Sequence, residues 1–155
     1  MPPSTAQEQE SVWDYPRPPR LEASGRRVRV IVDDIVVADS TNAIRVLETT
    51  HPPSWYIPRT DVRTDLLTQT DHATTCEWKG GATYWTLQTS VDAEPRENIA
   101  WSYETPVPDF ESIRGHLAFY PERADACFID DEQITAEGGP FYGGWLSSDV
   151  TMARR

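Results

Sequence analysis

The clearest periodic signal lies in residues 27–38, where polar and apolar side chains alternate on either side of Asp33 and Asp34. Alternation with a period of two places the apolar side chains on one face of a strand. Two adjacent aspartates are well suited to the tight turn that joins neighbouring strands. The pattern therefore predicts a β-hairpin with strands at residues 27–32 and 35–38.

Further short apolar segments predict more strands, because they are rich in β-branched and aromatic residues and lie between turn residues. They cover residues 43–49, 74–78, 82–89, 99–103, 116–120 and 125–129. A glycine bend that includes Lys79 joins the second segment to the third, and a turn at residues 121–123 joins the last two within the sheet. A brief helix that begins at Thr60 or Asp61 is predicted through Leu67, and the loop at residues 106–113 is expected to contain at most a turn of helix.

Composition supports a β-rich interpretation, since the chain contains 13 prolines, six tryptophans and six tyrosines. Proline is excluded from helix interiors and central strands, whereas large aromatic side chains suit half-buried sheet surfaces. We therefore expect a mainly β fold. Its compact antiparallel sheets would pack as a small open barrel or a β-tent-like sandwich, with one or two short helices.

The length of 155 residues fits one domain. Residues 1–11 are small, polar and acidic, and we expect them to form a flexible tail. Residues 12–149 are predicted to form a single β-rich domain that opens with an extended, proline-rich arm at residues 12–25. The glycine-rich segment from residue 137 is expected to fold back over an aromatic surface, and residues 150–155 to form a C-terminal tail.

The net charge of −11 argues against nucleic acid and anionic membranes as partners, because such a field repels phosphate. No segment approaches the ~18 apolar residues that a membrane span requires, and the first residues lack a secretory pattern, so we expect a cytoplasmic protein. Cys76 and Cys127 lie far apart and form no metal-binding or redox pair. The three histidines are scattered, and we expect neither a metal nor a cofactor.

The candidate chemistry begins with Lys79, the single lysine among 14 basic residues. An ammonium group is a compact charge that can bind an anion or act as a base or nucleophile, which an arginine side chain does less readily. Lys79 follows Cys76 by three residues, lies at a glycine bend between two aromatic strands, and would face Trp85, Trp101 and Tyr103 if their strands are neighbours. An exposed turn lysine beside core aromatics is the simpler alternative.

A second polar set surrounds short apolar strands and consists of Asp39, Arg45, Glu48, Arg59 and Asp61. Such groups most often form structural ion pairs. In a functional arrangement, Arg59 would join Lys79 in holding an anionic ligand while Glu48 or Asp61 orients that ligand or moves a proton. A nucleophilic role for Cys76 would require a histidine that approaches it in space.

Several motifs, taken in order, resemble the family named domain of unknown function 427. They are residues 12–19 (VWDYPRPP), 37–41 (VADST), 45–49 (RVLET), 56–62 (YIPRTDV), 76–85 (CEWKGGATYW), 100–103 (AWSY) and 113–120 (IRGHLAFY). The resemblance implies a compact, mostly β protein of a kind found in bacteria and fungi, with no established activity. The family pattern usually has Pro-Tyr where this chain has Glu77 and Trp78.

A nucleotidyl-transfer label is sometimes attached to this family, but the chain shows neither a phosphate-gripping glycine loop nor a spaced acid pair for magnesium. The motif residues coincide with the candidate site set from the residue chemistry. That set comprises Glu48, Arg59, Asp61, Cys76, Lys79, Trp85, Trp101 and Tyr103.

Three functional hypotheses follow from these residues. The preferred one is a domain that binds a small molecule in an aromatic-lined pocket, with Lys79 and Arg59 supplying polarity. The second is an enzyme that uses Lys79 with a nearby carboxylate for proton transfer or covalent attachment. The third is a homodimeric interaction module in which Trp13, Tyr15 and the aromatic strands form the interface.

Overall fold

A computed structural model describes residues 9–76, 78–136 and 143–152 of the chain. Most of the predicted tail at residues 1–11 lies outside the described residues, as do Phe141, Tyr142 and residues 153–155. The described strands are, in chain order, β1 (Glu10–Ser11), β2 (Arg20–Ala23), β3 (Val28–Val32), β4 (Ile35–Ser40), β5 (Ile44–Leu47), β6 (Ser54–Ile57), β7 (Leu67–Cys76), β8 (Gly80–Leu87), β9 (Arg96–Ser102), β10 (Leu117–Phe119), β11 (Ala126–Ile129), β12 (Glu132–Gln133), β13 (Thr135–Ala136), β14 (Trp145–Leu146) and β15 (Val150–Thr151).

The mainly β prediction is confirmed, because two antiparallel sheets dominate the described part of the chain. The larger sheet has seven strands in the order β2-β5-β6-β10-β9-β8-β7, and it is not closed into a barrel. The smaller sheet has four strands in the order β12-β11-β3-β4. Short 3-10 turns at Val12–Asp14, Arg59–Asp61, Thr64–Leu66 and Pro108–Ile113 are the helical elements of the described residues.

The predicted hairpin is confirmed as β3 and β4. Asp33 and Asp34 both have positive φ angles, of 52° and 65°, which gives the turn a twist that matches the flanking strands. Val28, Val30 and Val32 are fully buried, while the residues between them are partly exposed. The period of two in the sequence therefore sets which face of this hairpin enters the core.

Two local predictions were wrong. Residues 59–66 form two separate 3-10 turns instead of one helix, and the next strand, β7, begins at Leu67, well before the predicted residue 74. This strand lies at the edge of the large sheet, and most of its side chains are exposed, so its sequence carries no apolar alternation. Backbone pairing with β8 holds it in place.

The strands predicted at 116–120 and 125–129 do form, as β10 and β11, but they belong to different sheets. The turn that follows Tyr120 carries the chain from the large sheet to the small one. Ala118 pairs with both Tyr56 and Trp101, which places β10 in the middle of the large sheet between β6 and β9.

The main core fills the space between the two sheets. One face of the large sheet contributes Trp55, Ile57, Leu87, Ile99, Leu117 and Phe119, and the small sheet contributes its buried valines with Cys127 and Ile129. Alternate residues on the same strands of the large sheet point to its opposite face. There, Tyr56, Tyr84 and Trp101 form a second cluster with Tyr103 and Tyr120, which directly follow β9 and β10, and with Phe110 and Ile113 of the Pro108–Ile113 turn.

The described ends of the chain meet at one side of the domain. β1 and β15 form a parallel pair, although the sequence analysis assigned both segments to tails. Val12, Tyr15, Leu47 and Val150 pack together beside this pair as a third buried cluster. Within the described residues, the helical turns are too short and too polar to cross a lipid bilayer.

Candidate binding site

A cavity of about 190 Å³ opens on the outer face of the large sheet, the face turned away from the small sheet. We call it the tyrosine cavity. It is lined by Ser54, Tyr56, Lys79, Tyr84, Trp101, Tyr103, Tyr120 and Gly143. Four phenols, one indole and one ammonium group thus converge on a single hollow.

Strand pairing in the middle of the sheet places the rings that wall the hollow. Ala118, a small buried residue, lies between Tyr56 on β6 and Trp101 on β9. The indole Nε1 of Trp101 donates a hydrogen bond to the Tyr56 hydroxyl at 3.0 Å, and the two rings meet edge to face. Tyr84 pairs directly with Trp101 across β8 and β9 and extends the same wall.

Lys79 lies in the turn between β7 and β8, and only 7% of its surface is exposed. Gly80 follows with a φ of 111°, and the backbone amide of Val107 donates to the Lys79 carbonyl at 3.0 Å. These local features hold the lysine over the cavity. Its Nζ lies 5.8 Å from the centre of the Tyr103 ring and 6.0 Å from that of Phe110, which is within cation–π distance.

No carboxylate of the described residues forms an ion pair with Lys79, and its side chain makes no hydrogen bond to them. The comparably buried arginine among the described residues, in contrast, is paired with carboxylates. Arg45, also 7% exposed, bonds to both Glu10 and Glu22. The amine of Lys79 therefore faces the cavity with aromatic rings as its protein partners.

Three of the four phenols of the cavity stay protonated at neutral pH. Burial raises the pKa values of Tyr56, Tyr103 and Tyr120 well above the ordinary value of 10. A protonated phenol both donates and accepts hydrogen bonds. At neutral pH the cavity therefore presents hydroxyl donors and, in the Tyr84 hydroxyl, a group already bonded at 2.9 Å to Thr74.

The structure brings only part of the predicted site set together. Lys79, Trp101 and Tyr103 line the tyrosine cavity, and Cys76 packs against the same cluster. The large sheet separates these residues from Arg59 and Trp85, which lie on its opposite face.

Arg59 and Trp85 belong to a second small hollow of about 60 Å³. The Arg59 guanidinium lies 5.3 Å from the centre of the Trp85 ring and donates to Glu104 at 2.7 Å. Ser102 also donates to Glu104, at 2.6 Å, and accepts from the indole of Trp85. Arg59 is thus already engaged by a carboxylate.

The two predicted carboxylates lie elsewhere. Asp61 accepts a hydrogen bond from the Ser40 hydroxyl at 2.7 Å, near a shallow surface depression. Glu48 lies 3.4 Å from Arg17 of the N-terminal arm. Both make structural contacts, and neither lines the tyrosine cavity.

Sequence reasoning did not select Ser54, Tyr56, Tyr84 or Tyr120 as site residues. One signal was available for Tyr84: successive side chains of a strand point to opposite faces of the sheet, so Tyr84 lies on the face opposite Trp85. Tyr56 and Tyr120 could not be found this way, because β10 comes to lie between β6 and β9 only through non-local pairing. No cluster of three or more potential metal ligands occurs in the described residues.

Fold and cavity together define a small protein of two antiparallel sheets that carries a tyrosine-walled hollow on one outer face. A family model described as a domain of unknown function (DUF427) matches residues 20–130. The match covers more than two thirds of the chain, and the protein belongs to this family, as its motifs indicated. No curated protein matches the chain.

Proposed function

We propose that this protein binds a small molecule in the tyrosine cavity and that Lys79 supplies the charge that holds it. One observation carries the proposal: a nine-tenths buried ammonium group faces a hollow and has no carboxylate partner in the described part of the chain.

The energetic argument concerns the cost of burying a charge. Removing an ammonium group from water is unfavourable unless other groups replace its hydration, so buried charges are normally paired. The aromatic rings beside Lys79 offset part of this cost through cation–π contacts. A ligand that brings an acceptor to the amine would offset the remainder, and this makes binding favourable.

The walls of the hollow also suit a ligand. Binding pockets typically combine aromatic surfaces with a few convergent polar groups that fix orientation. Here the rings of Trp101 and Tyr120, whose centres lie 4.5 Å apart, provide the surface. The hydroxyls of Tyr56 and Tyr103 and the amine of Lys79 provide the polar groups.

A fragment screen by ligand-observed NMR tests the proposal. Fragments that bind the unmodified protein are measured again with Lys79→Met and Tyr103→Phe, which remove the amine and one hydroxyl with little change of shape. Arg63→Met is the matched control, because it removes one positive charge from an exposed ion pair with Asp65 outside the cavity.

We expect binding to weaken in Lys79→Met and Tyr103→Phe and to remain unchanged in Arg63→Met. A screen whose hits bind equally well to all four proteins would contradict the proposal. Circular dichroism of each variant establishes that the fold is retained.

A further inference from the structure

We infer that the ligand of the tyrosine cavity is a small carboxylic acid that carries a single negative charge. This inference rests on the proposed binding function and specifies the chemical class of its ligand. It draws on the sign of the charge in the cavity, the amount of that charge and the size of the hollow.

The sign of the charge favours an anion. Among the described residues, the lining contains one ammonium group, hydroxyl groups and an indole, and it includes no carboxylate. Because the buried phenols remain protonated, they can donate hydrogen bonds to carboxylate oxygens. A cationic ligand would meet the Lys79 amine at close range, so like-charge repulsion disfavours it.

The amount of charge favours a monoanion over a phosphate group. One ammonium compensates one negative charge, and a dianion would leave a second charge without a counterion in a desolvated site. The protein as a whole carries a net charge of −11, which adds a repulsive background for a more highly charged ligand. Arg123 lies behind the Tyr120 ring, with its guanidinium 4.2 Å from the ring centre, and does not line the cavity.

The size of the hollow limits the rest of the molecule. Pockets that enclose drug-sized ligands measure roughly 300–1,000 Å³, and the tyrosine cavity measures about 190 Å³. The part of the ligand that the cavity encloses is therefore smaller than a nucleotide or a peptide. The rings of Trp101 and Tyr120 pack against each other, with centres 4.5 Å apart, so the lining offers the ligand mainly hydroxyl groups and the Lys79 amine.

Isothermal titration calorimetry with matched pairs of probes tests the inferred class. The probes are acetate, butyrate and benzoate, each paired with its neutral amide, together with inorganic phosphate. We expect each carboxylate to bind more tightly than its amide, and benzoate to bind at least about tenfold more tightly than benzamide. Phosphate is expected to bind more weakly than benzoate.

Lys79→Met provides the decisive comparison. Without the amine, the preference of benzoate over benzamide should fall to about twofold or less, because the charge-assisted contact is gone while the aromatic walls remain. Arg63→Met should retain the full preference. Tyr103→Phe, which keeps the ring, should reduce the affinity for benzoate more than the affinity for benzamide.

The outcomes distinguish failure of the inferred ligand class from failure of the proposed binding function. If amides or phosphate bind as well as benzoate and still depend on Lys79, the carboxylate class is overturned while the binding function stands. If no probe and no screened fragment depends on Lys79 or Tyr103, both are overturned. A preference for benzoate that survives unchanged in Lys79→Met also overturns the inference, because the anion is then held elsewhere.

Discussion

Lys79 illustrates how one buried side chain can favour binding at the expense of folding. Its amine is almost fully buried, yet within the described residues its partners are aromatic rings and not carboxylates. Groups retained for function in this way often lower the stability of the free protein. The stability of a variant that lacks the charge can therefore be predicted.

Replacing Lys79 with methionine should stabilise the protein. The thioether side chain has a similar length and makes favourable contacts with rings, and the desolvation cost of the ammonium disappears. We expect the free energy of unfolding in urea to rise by about 1–2 kcal/mol. Arg63→Met, which breaks an exposed ion pair, should change it by less than about 0.5 kcal/mol. A loss of stability in Lys79→Met would show that the amine has a structural partner.

Strand order determines the cavity, and this limits how much of it sequence can reveal. The hairpin of β3 and β4 follows from local alternation and was predicted with its turn. Lys79, Trp101 and Tyr103 were also selected, because they lie in one region of the chain with aromatic strands. Tyr56 and Tyr120 join them only because β10 inserts between β6 and β9, and no local pattern encodes that order.

The same limit explains why Arg59 was grouped with Lys79. Both residues follow apolar segments and both lie beside aromatic residues in the sequence. The face on which each side chain lies depends on the register of its element against the large sheet, and the two residues lie on opposite faces. A shift of one position along a strand reverses the face, so reasoning by proximity alone could not separate them.

Ala118 on β10 provides a test at the scale of the element. Ala118→Leu would place a larger side chain between Tyr56 and Trp101 and displace these two rings, which are hydrogen-bonded to each other in the wall of the cavity. We expect Lys79-dependent ligand binding to be lost and the free energy of unfolding to fall by about 1–3 kcal/mol because of overpacking. Calorimetry and urea denaturation measure the two effects.

Ala118→Gly is the control for this substitution. It preserves the hollow and lowers stability by about 0.5–1 kcal/mol through backbone entropy, so binding should persist. Equal binding by the leucine and glycine variants would locate the ligand outside the tyrosine cavity.

The whole domain includes residues beyond the range that the family model matches. Trp145 on β14 is fully buried against Trp55 and donates its indole N–H to the Phe119 carbonyl at 3.1 Å. The main core thus contains a side chain from the segment after residue 130. The described part of this segment, from Gly143, therefore packs onto the rest of the domain.

Trp145→Ala should destabilise the domain strongly. It removes a large core side chain and leaves the Phe119 carbonyl without its donor, so we expect a loss of about 3–5 kcal/mol in the free energy of unfolding. Trp13→Ala is the matched control, since Trp13 is 43% exposed although its indole also bonds to a carbonyl, that of Met152. Its loss should stay below about 1.5 kcal/mol. Similar losses in both variants would contradict this view of the core.

Acid should loosen the side of the domain where the described ends meet. A hydrogen bond from Arg45, assisted by one from Tyr15, holds the pKa of Glu10 below its ordinary value of 4.5. A carboxyl with a lowered folded pKa contributes stability above its unfolded pKa and loses that contribution as the pH falls through the folded value. The contribution of Glu10 is therefore present at neutral pH and declines below about 4.5.

Glu10→Gln checks this dependence. We expect the variant to melt at a lower temperature than the unmodified protein at pH 7 and the two melting temperatures to converge as the pH falls towards 3. Thermal unfolding followed by circular dichroism measures both. A difference that stays constant across this pH range would exclude the Glu10 charge as the cause.

The parallel pairing of β1 with β15 also determines how the domain would respond to stretching. When the chain is pulled apart by its N-terminal and C-terminal sides, the force acts in opposite directions on the two parallel strands, so β1 and β15 slide along each other. The backbone hydrogen bonds between the two strands then bear the force at the same time, so they break together and not one after another. The two ends of the described chain thus form a small mechanical clamp over the rest of the domain.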